Sequence, residues 1–245
     1  EIAMSFYYWK TSFKIDDSDE KFIKEQKIQK MYVRYFDVAL KGNEAIPISA
    51  ITFDTIPERI EIIPVIYIKN EVVLNPGIDV NQLSDNLLKY INQINEKHKI
   101  HINEIQLDCD WSLKSKERYF ALVEEMKKKS KLKLSATIRL HQIKYFEKTG
   151  IPKVDEGVLM YYNMGTIAAD SLNSIYDRKI AEKYINALPN YPLKLNIALP
   201  IYSWLVHTRN KKTINLISRI RTEQIQDLEE FEKIDDFRYV AKEAN

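Results

Sequence analysis

Polar and apolar positions alternate along this chain with two different periods. In INEIQLDCDWSLKS (102–115) they alternate one by one. Ile105, Leu107, Cys109 and Trp111 form one set, and Gln106, Asp108, Asp110 and Ser112 form the other. A strand sends successive side chains to opposite faces. The spacing therefore predicts a strand with one apolar face and one face that carries two carboxylates. In DVNQLSDNLLKYINQINEKHK (79–99) the apolar residues Val80, Leu83, Leu87, Leu88, Ile91 and Ile94 recur at three- and four-residue steps. That period predicts a helix, with Asp79 as its N-cap just after the turn residues Pro76 and Gly77.

The same reading along the chain predicts strands over 4–13, 30–40, 60–69, 133–143, 156–165 and 193–204, with a short extra strand within 47–54. Helices are predicted over 18–29, over 115–130 with Ser115 as cap, near YFEKTG (145–150), over 171–187 and over 213–233 in the tail. Strands that alternate with helices imply parallel βαβ units, as in a doubly wound sheet or a barrel. The chain has only five glycines and no Gly-rich phosphate loop after its first strand, which disfavours the dinucleotide-binding sheet. About seven strands favour a single α/β domain over 1–245, a (β/α)8-type TIM barrel that is either complete or truncated at its last strand. No internal repeat or flexible linker divides the chain.

In such a barrel, one side of each strand meets helices and the other meets the lumen. The apolar set of 105–111 should face helices, and Gln106, Asp108, Asp110 and Ser112 the lumen, with the last of them at the C-terminal rim. The strand over 133–143 repeats the design, so Ser135, Thr137, Arg139 and His141 should share the lumen. An arginine beside two acids is expected to lower their pKa values, while a desolvated Asp110 at the rim could hold a proton. Asp37 and Glu44 are candidate partner acids. The phase of YVRYFDV (32–38) is not fixed by pattern, which leaves open whether Arg34 or Asp37 faces inward.

Composition narrows this picture without redirecting it. The 245 residues are 45% hydrophobic and 29% charged, and the 37 basic and 35 acidic side chains leave a net charge of +2. No field suited to nucleic acid arises from that balance. The KKKSKLK run (127–133) falls where the helix dipole favours cations. The single cysteine, Cys109, excludes an intrachain disulfide and lies on the apolar face. The four histidines lack metal spacing, so neither a metal nor a cofactor is expected. No apolar run is long enough to span a membrane. The opening EIAMSFYYWK lacks a basic segment followed by an apolar one, so the compartment is open, export with a removed signal included.

Three stretches resemble family-eighteen glycoside hydrolases, the chitinases. LDCDWS (107–112) resembles their fourth-strand Asp-x-x-Asp-x-Asp-x-Glu, MYYN (160–163) their sixth-strand Met-x-Tyr-Asp, and ALPIYS (198–203) their seventh-strand Gly-Leu-Pro-x-Tyr-Gly. The resemblance covers roughly residues 5–205 and extends to a bacterial family of unknown function in the same barrel group, whose fourth strand has Gln-x-Asp-x-Asp before a small residue. It implies a carbohydrate ligand. Carried over by position, Asp108 and Asp110 match the second and third acids, the third being the one that orients the substrate acetamido group. Tyr162 matches the tyrosine that hydrogen-bonds the reacting group. Ile105 replaces the first acid, Asn163 replaces an aspartate, and Ser112 stands where the proton-donating glutamate belongs.

A serine hydroxyl cannot serve as general acid near neutral pH. Two readings follow. In the first, the chain is a glycoside hydrolase with a rearranged acid pair, Asp108 and Asp110, whose Cα atoms would be about 7 Å apart on one strand face, within the roughly 5–9.5 Å range of glycosidase carboxyl pairs. In the second it is a barrel that binds glycans without cleaving them. Tyr8, Trp9, Arg34, Arg139, His141, Asn163, Tyr202 and Trp204 are candidate ligand contacts in either case, the aromatic ones because their faces suit sugars. A third reading, metal-assisted hydrolysis through the two aspartates, has no histidine cluster behind it.

Overall fold

A computed structural model describes residues 3–57, 59–168, 173–218, 220, 223–226, 228–236 and 238–242. The chain divides into two compact units, Glu1–Leu159 with Asn190–Asn196, and Met160–Pro189 with Ile197–Asn245. The first holds β1 (Ser5–Tyr8), β2 (Ser12–Phe13), α1 (Asp17–Glu25), β3 (Lys30–Lys41), β4 (Glu44–Ile48), β5 (Thr52–Phe53) and β6 (Glu61–Ile68). It continues through α2 (Asn70–Leu74), α3 (Val80–His98), β7 (Glu104–Asp108), α4 (Lys116–Ser130), β8 (Lys133–Arg139), α5 (Leu140–Lys144) and α6 (Phe146–Thr149). Most of β9 (Glu156–Met160) and the start of β10 (Leu195–Ala198) complete it.

The main sheet runs β1-β3-β6-β7-β8-β9-β10, with β4 folded back antiparallel on the far half of β3. The pairs β1–β3, β3–β6, β6–β7 and β7–β8 are parallel. This is the strand order of an open (β/α)8-type barrel. Its helical connections include α1, between β1 and β3, α3, between β6 and β7, and α4, between β7 and β8.

The alternation in β7 sorts its side chains as the pattern requires. Ile105 and Leu107 are buried on the outer face, and beyond the strand end Trp111 stacks on Tyr119 of α4 with ring centroids 5.0 Å apart. On the inner face, the Tyr7 hydroxyl donates to Gln106 at 2.7 Å, and Gln106 donates to the Ser135 hydroxyl at 3.2 Å. Glu104, one step lower, accepts from Ser135 at 2.6 Å and is bridged by Lys30 and Lys133, each at 3.2 Å. The inner layer is thus polar yet fully partnered, as burial of such groups demands.

Asp79 caps α3 as the sequence predicts, its carboxylate accepting the Asn81 and Gln82 amide protons. Replacing it with alanine frees both donors and is expected to lower stability by about 1 kcal/mol. A urea titration would detect that, and an unchanged midpoint would contradict the cap's contribution.

Several predicted elements differ. The strand over 4–13 breaks into β1 and β2. That over 156–165 ends at Met160, which leaves Tyr162 and Asn163 beyond it. That over 193–204 ends at Ala198, which leaves Tyr202 outside and Trp204 at the start of a separate hairpin. The strand over 102–115 ends at Asp108, which leaves Asp110 and Ser112 beyond it. The strand over 133–143 ends at Arg139, because the Gln142 side chain accepts the Arg139 amide proton at 2.8 Å and opens α5. Ser115 precedes α4 without capping it; its hydroxyl donates instead to Asn70 at 2.6 Å. The tail over 213–233 is not one helix. It contains β12 (Lys212–Ser218), paired antiparallel with β11 (Trp204–Arg209), then α8 (Glu223–Gln226) and β13 (Phe231–Lys233), which pairs with β14 (Tyr239–Ala241). The helix predicted over 171–187 is α7 (Arg178–Ile185), and its first two positions lie outside the described residues. Among the described residues no helix is long and apolar enough to cross a membrane.

Candidate functional site

The inner face of the first unit is set by one irregularity. On β3, Arg34 pairs in register with Val65, but Phe36 pairs with Ile66, so Tyr35 is an extra residue. Such a bulge resets the alternation of the strand. Arg34 and Asp37, three residues apart, would face opposite sides of a regular strand. The bulge brings both inward, while the Tyr35 hydroxyl turns to α3 and donates to Asn95 at 2.8 Å. The phase that the sequence leaves open is therefore resolved in favour of both residues.

Asp37 is the register partner of Tyr67 on β6, and Tyr67 is the partner of Asp108 on β7. Three parallel strands thus present Asp37, Tyr67 and Asp108 in one row near their C-terminal ends. With Trp9, Arg34, Asp110 and Arg139 they line a pocket of about 300 Å³.

Arginines hold the acids. Arg34 grips both oxygens of Asp37 through Nε, at 2.6 Å, and Nη2, and gives Nη1 to the Trp9 carbonyl at 3.3 Å. Arg139 donates Nε to Asp110 and Nη2 to Asp108, the latter at 3.3 Å. The Thr137 hydroxyl donates to the same Asp108 oxygen at 2.6 Å. Bidentate and charge-assisted bonds of this kind fix geometry as well as charge.

Arginine does not lower the Asp108 pKa as expected. Complete burial raises it, and Arg139 and Thr137 only offset part of that desolvation. Asp110 differs from its expected desolvated state, with 51% of its side chain exposed. Burial also pushes the Tyr67 phenol up, helped by the negative charges of Asp110 and Asp108. Burial raises the Cys109 thiol too, so it stays an inert core thiol.

The other candidate residues fall elsewhere. Tyr8 points away from the pocket, its hydroxyl 2.7 Å from the Ser12 carbonyl and its ring 4.6 Å from that of Phe13. Ser112 is tied into the turn before α4, where its amide donates to the Ser115 hydroxyl at 2.9 Å and the two hydroxyls lie 3.2 Å apart. It is not among the residues that line the pocket. His141 is on α5 rather than on a strand. Desolvation holds its imidazole below the ordinary range, against the pull of nearby Asp110. Glu44 is exposed on β4.

Tyr162, Asn163, Tyr202 and Trp204 belong to the second unit. There the Tyr202 hydroxyl donates to the Asn163 side chain at 2.7 Å, and its ring lies 5.9 Å from Tyr162 and 5.3 Å from Trp204. Asn163 takes the left-handed backbone region with φ 54°, which asparagine tolerates better than most residues.

Sequence reasoning missed Tyr67. The available signal was its place as the one aromatic residue of the strand EIIPVIYI, near its C-terminal end. Among the described residues no group of three or more histidine, cysteine, aspartate or glutamate side chains could hold a metal ion.

No protein-family model matches the chain, nor does any curated protein. Solved structures do. A chitinase-like agglutinin from Robinia pseudoacacia is 13% identical, with a TM-score of 0.51 over 82% of this chain and 70% of its own. A family-eighteen chitinase from Cycas revoluta, in complex with (GlcNAc)3, is also 13% identical, with a TM-score of 0.51 over 91% of this chain and 79% of its own. The likeness is one of fold: this chain has the chitinase-like TIM-barrel fold.

Proposed function

We propose that this chain recognises a carbohydrate at the C-terminal rim of its barrel strands and does not hydrolyse it. One observation carries this reading: each carboxylate in the pocket is held by an arginine, and Ser112 is tied into a turn. A general acid needs a mobile proton at the scissile oxygen. The oxygens of Asp37 are both taken up by Arg34, and Asp110 accepts from Arg139, so these carboxylates are occupied by guanidinium groups. The same groups suit sugar hydroxyls. Carboxylates and guanidinium groups present fixed acceptors and donors, and the Trp9 ring, 39% exposed and stacked on Tyr7 at 5.3 Å, offers an apolar face. The agglutinin on the same fold is in keeping with recognition, and the chitinase complex with a sugar ligand.

A second reading, hydrolysis, has Asp108 in its favour. Its carboxyl holds a proton more tightly than an ordinary aspartate, as a general acid should.

Calorimetric titration with a panel of oligosaccharides, alongside an assay for newly formed reducing ends, separates the two. Recognition is expected to give saturable binding of a glycan that stays intact. Trp9→Ala should weaken that binding by about tenfold or more, the scale of one lost aromatic platform of about 1–2 kcal/mol. Turnover that disappears in Asp108→Asn would instead establish a hydrolase.

A further inference from the structure

The pocket is lined by three carboxylates, two guanidinium groups, a tryptophan and a tyrosine. No aliphatic side chain is among the seven. Both arginines already face acids inside the pocket: Arg34 grips Asp37, and Arg139 bridges Asp108 and Asp110. Three carboxyl groups face two guanidinium groups, so acids outnumber cations by one in the pocket, and the most exposed of the acids is Asp110.

That balance discriminates among sugars. A uronic or sialic acid would bring a further carboxylate to a site already rich in them, and like charges at short range repel. An N-acetyl group is uncharged and would leave the surplus carboxylate without a cationic partner of its own. An ammonium group would neutralise the excess. It could donate to Asp110 and to the Tyr67 hydroxyl in the same row, with the Trp9 face available for cation–π contact.

Resting on the glycan reading above, we infer that the sugar held here bears a free amino group, a cationic 2-amino-2-deoxy sugar rather than an N-acetylated or acidic one. The full chain is titrated calorimetrically at about pH 6, where a sugar amine is charged, with a glucosamine trimer, its fully N-acetylated counterpart, a galacturonic acid trimer and a neutral glucan trimer. The glucosamine trimer is expected to bind at least about tenfold more tightly than the other three. Asp110→Asn, half-exposed and checked for an unchanged melting temperature, should erase most of that preference. Tighter or equal binding of an N-acetylated, neutral or acidic trimer overturns the inference and leaves the glycan reading standing. So does a preference that survives Asp110→Asn. Binding of no oligosaccharide at all overturns the glycan reading and the inference with it.

Discussion

Replacing Arg139 with methionine is expected to cost about 1–3 kcal/mol of stability at pH 7, less than the full cost of protonating Asp108 because the native protein already bears part of it, and only a few tenths near pH 4. The methionine keeps the apolar stem and removes the charge, which leaves Asp108 buried with Thr137 as its hydrogen-bond donor. The penalty has a ceiling, because the carboxyl can take up a proton instead of staying charged. From its ordinary value of 3.8 to pH 7 that escape costs about 4 kcal/mol, at 1.36 kcal/mol per pH unit. The sign follows from linkage. Burial raises the folded pKa of Asp108 above its unfolded value, so the folded state binds the extra proton. Its contribution to stability is complete below about 3.8 and is lost as pH rises through the raised value. Removing Arg139 raises that value further and deepens the loss at neutral pH. The exposed Arg139–Asp110 contact adds little, being screened by water. Urea unfolding of both proteins at the two pH values measures this. An equal deficit at pH 4 and pH 7 would show that Arg139 supports the structure through packing and not through Asp108.

Trp111→Ala is expected to cost about 3–5 kcal/mol at any pH between 4 and 8. The indole is 2% exposed, lies flat on Tyr119 and donates its N–H to the Thr149 carbonyl at 3.1 Å. Its loss opens a cavity beneath the loop that carries Asp110 and leaves a buried carbonyl without its donor. Thermal and urea midpoints should both fall, and ligand affinity with them. Trp111→Phe, which fills most of the space, should recover over half of the stability but not the hydrogen bond. A midpoint within the error of wild type for Trp111→Ala would mean that the loop is not anchored there.

The two substitutions fall on one short stretch of sequence, and much of the site could be read there. Period-two alternation placed Gln106 and Asp108 inward and Ile105 and Leu107 outward because a strand buried on both faces must sort its polar groups toward partners. The same logic placed Ser135, Thr137 and Arg139. It failed past the strand ends. His141 left the series once Gln142 started a helix, and Ser112 left it once Ser115 closed a turn. A strand pattern carries no warning of either, since both depend on side chain to backbone bonds over three residues.

The phase of β3 was illegible for a different reason. One inserted residue, Tyr35, reverses the alternation, and no composition marks it. The tail was misread because Ile214, Leu216 and Ile217 satisfy helical and strand periods about equally. What decided it is the turn at Asn210 and Lys211, both with positive φ at 50° and 63°. That geometry belongs to hairpin turns that glycine usually marks, and lysine conceals it. The chitinase-like motifs indicated the barrel, yet they could not reveal that Arg34 and Asp37 join the row, because neither belongs to a motif.

The pocket beside Trp9 is proposed to bind a sugar and leave it intact. The chain has three tryptophans, so a nitrogen-15-labelled sample should give three indole N–H signals. Of the three side chains, only Trp9 lines the pocket. Titrating an oligosaccharide should move the Trp9 signal saturably and leave buried Trp111 in place, while the same tube shows no new reducing ends after a day. A Trp9 signal that stays still through the whole glycan panel, or one that shifts while the sugar is cleaved, would contradict the account.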